Sequence, residues 1–102
     1  RQEKAQKIAE QIIDDGGTAV GLQLDVAQKE QHKEALNIIL ELYGDLDIVI
    51  NGAGTNAPTP FLEITLEEWN AVLTSQITGT MLGCQVFVGG IVENQNRVII
   101  MI

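Results

Sequence analysis

Cations, cysteines and prolines are scarce in this sequence, and each scarcity removes a class of function. Six Lys and Arg stand against fourteen Asp and Glu in 102 residues, a formal charge of −8. Three of the six cations, Arg1, Lys4 and Lys7, crowd the first turns. No basic patch remains that could hold nucleic acid or an anionic membrane surface. Cys84 is the single cysteine and His32 the single histidine. A disulfide within the chain is therefore excluded, no metal-ligand set is spelled out, and a reducing, cytoplasmic setting is expected. No signal peptide, transit peptide or membrane span is read from the sequence, and neither a repeat nor a low-complexity tract is present. The only prolines, Pro58 and Pro60, fall in one short stretch and mark it as a loop.

Hydrophobic residues make up 45% of the chain, enough for one small domain over residues 1–102. In residues 1–15, Ala5, Ile8, Ala9, Ile12 and Ile13 recur at helical spacing before Gly16-Gly17 stops the run. The stretch "TAVGLQLDV", residues 18–26, alternates Val20, Leu22, Leu24 and Val26 and predicts a strand. A second helix presents Leu36, Ile39, Leu40 and Tyr43 and is capped by Gly44; its polar positions Lys29, Glu30, Lys33 and Glu34 suggest a solvated His32. Leu46 to Asn51 reads as a strand covered on both faces, because Ile48, Val49 and Ile50 are β-branched with no charge among them. Thr65 and Glu68 have capping-box spacing and open a long helix that runs to about Glu93, with Gly79, Gly83 and Gly89-Gly90 weakening it. "RVIIMI", residues 97–102, is a third buried strand. The order α-β-α-β-α-β predicts an α/β fold with a parallel sheet.

The break at Asn51-Gly52-Ala53-Gly54 is the first candidate site. Small residues at the carboxyl end of a buried strand let a ligand approach bare backbone, which is where open α/β sheets bind.

Asp25-Val26 at one strand end, Asn51-Gly52-Ala53-Gly54 at the next, and "EEWNAVLTSQITGTMLGCQ" in the long helix follow in an order that resembles the short-chain dehydrogenase/reductase family. The resemblance covers nearly the whole chain. It implies a doubly wound parallel-sheet Rossmann-type fold, of which three strands and three helices are present here, and an NAD or NADP cofactor. Asp25 is then expected to accept from the adenine amino group and the Val26 N–H to meet a ring nitrogen; on its residues alone, Asp25 serves equally as a cap for the following helix. Asn51, Gly52, Ala53 and Gly54 are expected to lie against the ribose and nicotinamide side of the cofactor. Arg1 matches a region that faces the 2′-phosphate of NADP, a role that suits a guanidinium, and also reads as an ordinary solvated residue. Gln76, seven residues after Trp69, stands where the family carries an Asn of its proton relay, keeping the amide with one more methylene. The loop "GTNAPTPF" would overhang the nicotinamide end, so Thr55, Asn56 and Thr59 are candidate contacts to a small polar or sugar-like substrate, or simply shape the loop.

The family's glycine-rich phosphate turn and its Ser and Tyr-x3-Lys catalytic groups are not among these residues. The resemblance therefore implies a stretch from the middle of a longer chain, or a truncated product, and residues 1–102 alone are expected to be inactive. The strand order 3-2-1-4-5-6 says the same: the strands present correspond to 3, 4 and 5, and 3 and 4 are not neighbours, so the ladders at Leu22 and Ile48 lack partners. The parent chain is expected to move hydride between nicotinamide and a carbonyl or secondary alcohol, and to form a homo-oligomer through the long helix from Thr65. A non-enzymatic nucleotide- or protein-binding module, or an epimerase or dehydratase of the same fold, are the alternatives.

Overall fold

The computed structural model describes residues 2–56, 58–91 and 98–101. Helix α1 spans Gln2–Asp14, α2 Lys29–Tyr43, and strand β1 Ile48–Asn51; a single 3-10 turn at Phe61–Glu63 leads into α3, Leu66–Leu73. A five-residue π-turn, Thr74–Thr78, joins α3 to α4, Gly79–Ile91, and β2 spans Val98–Met101. β1 and β2 pair in parallel, from Ile48 opposite Val98 to Asn51 opposite Met101. The carboxyl end of β1 therefore points past the ladder at Asn51, with the following backbone free to serve a site.

The helices start and stop where local chemistry dictates. Gly44 closes α2 with φ +78°, its N–H donating to the Leu40 carbonyl at 2.8 Å. Thr65 caps α3, its Oγ1 accepting from the Glu68 N–H at 3.1 Å. The reciprocal arm of the expected capping box is diverted: Glu68 Oε1 accepts instead from the Thr59 hydroxyl at 2.6 Å, tying the loop down to the helix. Replacing Thr65 with alanine is expected to cost about 1 kcal/mol of stability, read as a lower urea midpoint at unchanged slope.

The strand expected over residues 18–26 does not form, so two strands are found among the described residues and not three. A ladder needs a partner, and the described residues offer none to this segment. Its period-2 pattern nevertheless survives. Leu22, Leu24 and Val26 face a groove shared with β1, while Gly21 is buried against the backbone of α1 at Ala5 and Gln6.

β1 also departs from expectation. Val49 is buried, but Ile48 and Ile50 are 57% and 61% exposed, so one face is covered and the other is open. The covered face meets α4, which in turn packs along α2. Ala35 and Val86 are buried in this α2, α4 and β1 layer, as is His32, while Ala9 is buried on α1. His32 was expected in solvent and is 3% exposed; it lies one helical turn before Ala35, on the stripe that continues to Ile39, so its neighbours in space are apolar although its neighbours in sequence are charged. Tyr43, expected on the apolar face, is exposed.

The long helix forms as expected, and Gly89-Gly90 do not end it before Ile91; Glu93 lies outside the described residues. By length and composition alone the run Leu66–Gly89, with a mean hydropathy of 1.3, could cross a membrane. Its second half sets Gly79 against Val26 and Gly83 against Asn51. The first half keeps Leu66 and Trp69 exposed.

Candidate functional site

Three short segments carry the candidate site. The first is the turn at Asp25-Val26, which enters α2. Asp25 folds into an Asx turn, its Oδ1 accepting from the Ala27 N–H at 3.0 Å and its carbonyl from the Gln28 N–H at 2.9 Å. Asp25 therefore does not cap α2, whose N-cap is Gln28. From the first turns of α2, Gln31 Oε1 accepts the Asp25 N–H at 2.6 Å, and His32 Nε2 lies 2.8 Å from the Val26 carbonyl. A carbonyl only accepts, so Nε2 carries the proton. What remains uncommitted among the described residues is one carboxylate oxygen of Asp25 and the N–H of Val26.

The second segment is the end of β1. Asn51 projects toward α4, with Oδ1 against Gly83 and Nδ2 donating to Cys84 Sγ at 3.7 Å. A Cβ at Gly83 would collide with Asn51, so the small residue expected to weaken the helix is what lets β1 end this close to it. Beyond Asn51 the backbone is bare: open space surrounds the position a Cβ would take at Gly52.

The third segment is the π-turn. Its wide i→i+5 hydrogen bond, Gly79 N–H to Thr74 carbonyl, bulges the helix at Gln76. Gln76 Nε2 donates to the Thr55 carbonyl at 3.2 Å, and Ser75 Oγ accepts the Thr55 N–H at 3.1 Å. Both sides of Thr55 are thus fixed by consecutive helix residues. Gly54 makes the approach possible, because a Cβ there would stand 2.9 Å from Gln76 Cγ. The Gln76 carbonyl accepts the Thr80 hydroxyl at 2.7 Å.

Val26, Asn51, Gly52 and Ala53 line one groove of about 340 Å³, together with Ser75, Gly79 and Thr80. Leu22, Leu24, Ile48 and Ile50 give it an apolar stretch of lining. Asp25 stands exposed beside it, and Gly54, Thr55 and Gln76 meet at the π-turn. Asn56 is exposed and makes no hydrogen bond among the described residues. The Thr59 hydroxyl is spent on Glu68, which removes it as a donor to a substrate. Arg1 lies outside the described residues. Among the described residues no group of three or more His, Cys, Asp or Glu could hold a metal. Gln31, His32, Ser75 and Gly83 are the site-forming residues that sequence reasoning missed. The i+6 spacing from Asp25 to Gln31 and from Val26 to His32 was the available signal, since it carries a turn back onto the first turns of its helix.

The whole chain, residues 1–102, matches the family model described as short chain dehydrogenase. It is 33% identical over 91 residues to glucose 1-dehydrogenase 2 of Bacillus subtilis (strain 168), covering 88% of this chain and 35% of the relative. D-threitol dehydrogenase of Mycolicibacterium smegmatis is 32% identical over 83 residues, 81% of this chain and 32% of that protein. The crystal structure of a 3-ketoacyl-ACP reductase from Sinorhizobium meliloti 1021 superposes with a TM-score of 0.87 at 26% identity, covering 97% of this chain and 39% of that one. The chain spans about a third of the length of the curated relatives it matches. A parallel β1–β2 ladder, an Asp-Val turn and an Asn-Gly-Ala-Gly strand end facing a bulged helix are thus found where the sequence matches a known family, and the chain belongs to the short-chain dehydrogenase/reductase family.

Proposed function

We propose that this chain forms the adenine wall and central strand of an NAD(P)-dependent oxidoreductase whose parent protein moves hydride between nicotinamide and a carbonyl or secondary alcohol. The observation that carries this reading is the pair of uncommitted groups at Asp25-Val26. A carboxylate acceptor beside a backbone donor complements the edge of adenine, which offers an amino donor beside a ring-nitrogen acceptor. Farther along the groove, the open backbone at Gly52 suits close passage of a dinucleotide. The bound nicotinamide supplies or accepts the hydride. Gln76 holds the Thr55 backbone in place and keeps a second lone pair on its own carbonyl, which suits the family's relay position. The apolar stretch of the groove between Leu22, Leu24 and the open face of β1 at Ile48 and Ile50 fits the remaining strands of the sheet.

A small polar substrate is favoured at the far end. The Thr55 hydroxyl and the Asn56 amide are exposed beyond the fixed Thr55 backbone, and two relatives are named for a sugar and a polyol. The exposed Leu66, Trp69, Ile77 and Met81 suit contact with a second copy of the chain, and a cytoplasmic location agrees with the lone cysteine. The test is binding of NADH and NADPH to the intact protein, followed by fluorescence. Asp25→Ala is expected to weaken the preferred nucleotide about 10- to 100-fold, the loss of a charge-assisted hydrogen bond. Failure of the intact protein to bind either nucleotide overturns the reading.

A further inference from the structure

We propose that His32, supported by Gln31, is a positioning residue that presets the Asp25-Val26 turn for adenine; this rests on the cofactor reading above. The imidazole is 3% exposed, edge-on to Phe87 at 6.0 Å between ring centroids, and its Nδ1 is buried with no hydrogen-bond partner. A phenylalanine or leucine would fill such a site without an orphaned ring nitrogen. The return on placing a histidine there is its one hydrogen bond, from Nε2 to the Val26 carbonyl.

That bond completes a set. The peptide between Val26 and Ala27 is held at both ends, its carbonyl by His32 and its N–H by Asp25 Oδ1. The peptide before Asp25 is held through its N–H by Gln31. With these three groups committed, the turn can neither flip its central peptide nor swing its carboxylate freely, and the Val26 N–H and second Asp25 oxygen stay uncommitted. Ordering them before binding removes a cost that each binding event would otherwise carry. The ring also reaches the other half of the seat: the Cβ position at Gly83 lies 3.6 Å from His32 Cε1 and in collision range of Asn51 Oδ1. Adenine and nicotinamide ends are thus built on one packed unit, but only the adenine end depends on the His32 hydrogen bond.

The experiment uses the intact protein and the two halves of the cofactor, adenosine 5′-monophosphate and nicotinamide mononucleotide, with affinities measured by calorimetry. His32→Leu is expected to weaken the adenine half about tenfold, the worth of one hydrogen bond, while the nicotinamide half changes little. His32→Gln, which returns an N–H donor at similar reach, is expected to restore the adenine half. Gln31→Met, at a half-exposed position, is expected to weaken the same half in the same direction and carries the test should His32→Leu not fold. Equal loss of both halves, or no loss in either variant, overturns the proposal. Absence of dinucleotide binding by the unaltered protein overturns the cofactor reading instead.

Discussion

Alanine at position 21 is expected to destabilise the protein by about 3 kcal/mol, the upper end of the usual cost of overpacking. The added methyl would stand 2.6 Å from the Gln6 nitrogen, 2.7 Å from the Ala5 carbonyl carbon and 2.8 Å from the Gln6 Cα. These are backbone atoms in the middle of a helical turn, so no side chain can rotate away to relieve the clash. Relief requires α1 to lift off residues 18–26. The buried contact of α1 is narrow, with Ala9 its only buried residue and Ile8, Ile12 and Ile13 exposed, so lifting the helix away forfeits the close backbone approach at Gly21 that seats it. The measurement is the urea midpoint of the intact protein compared with that of Gly52→Ala, where the same methyl enters open space. Equal midpoints for the two variants would show that α1 does not dock at Gly21.

Gly83→Ala is the second large effect, and it falls on binding as well as stability. Its methyl would collide with Asn51 Oδ1, and turning the amide away gives up the hydrogen bond to Cys84. Because Asn51 ends β1 and lines the groove, the displacement reaches the proposed cofactor seat. A loss of about 1–3 kcal/mol in stability is expected, with about tenfold weaker nucleotide binding. The double variant Asn51→Ala/Gly83→Ala separates the two consequences. Removing the amide makes room for the methyl, so stability is expected to recover relative to the sum of the single changes, whereas binding is not. Strict additivity in stability would rule out the contact as the cause.

Much of this arrangement is legible in the sequence because its determinants are local. The Gly44 cap, the Thr65 cap and the apolar spacing of α1 and the long helix each act within a few residues, and each element forms where its pattern lies. Residues 18–26 carry an equally clear pattern and form no strand, because alternation selects the face of a strand while pairing requires a neighbour. Ile48 and Ile50 illustrate the same distinction: their composition suits a strand buried on both sides, and coverage depends on what packs there. His32 departs from its sequence pattern for the opposite reason. Lys29, Glu30, Lys33 and Glu34 dominate its surroundings along the chain, but on a helix they project elsewhere, and the stripe through His32, Ala35 and Ile39 turns inward. At the site, the Asn-Gly-Ala-Gly strand end and Gln76 were visible as residue types; the Ser75 and Gln76 grip on Thr55 was not, since it depends on a bulge that no residue type announces.

That bulge also fixes what kind of change the long helix can absorb. One residue inserted into an α-helix turns everything after it by about 100°, and the π-turn at Thr74–Thr78 holds one such insertion. The half before it, Leu66–Leu73, and the half after it, Gly79–Ile91, therefore address different surroundings from one continuous rod: the first leaves Leu66 and Trp69 to the outside, the second sets Gly79 and Gly83 against Val26 and Asn51. Substitutions on either half can accumulate independently. Length is constrained everywhere but at the bulge, where losing one residue of Thr74–Thr78 would close the wide turn to an α-helical one and leave Gly79 and Gly83 on Val26 and Asn51, at the expense of the Ser75 and Gln76 grip on Thr55.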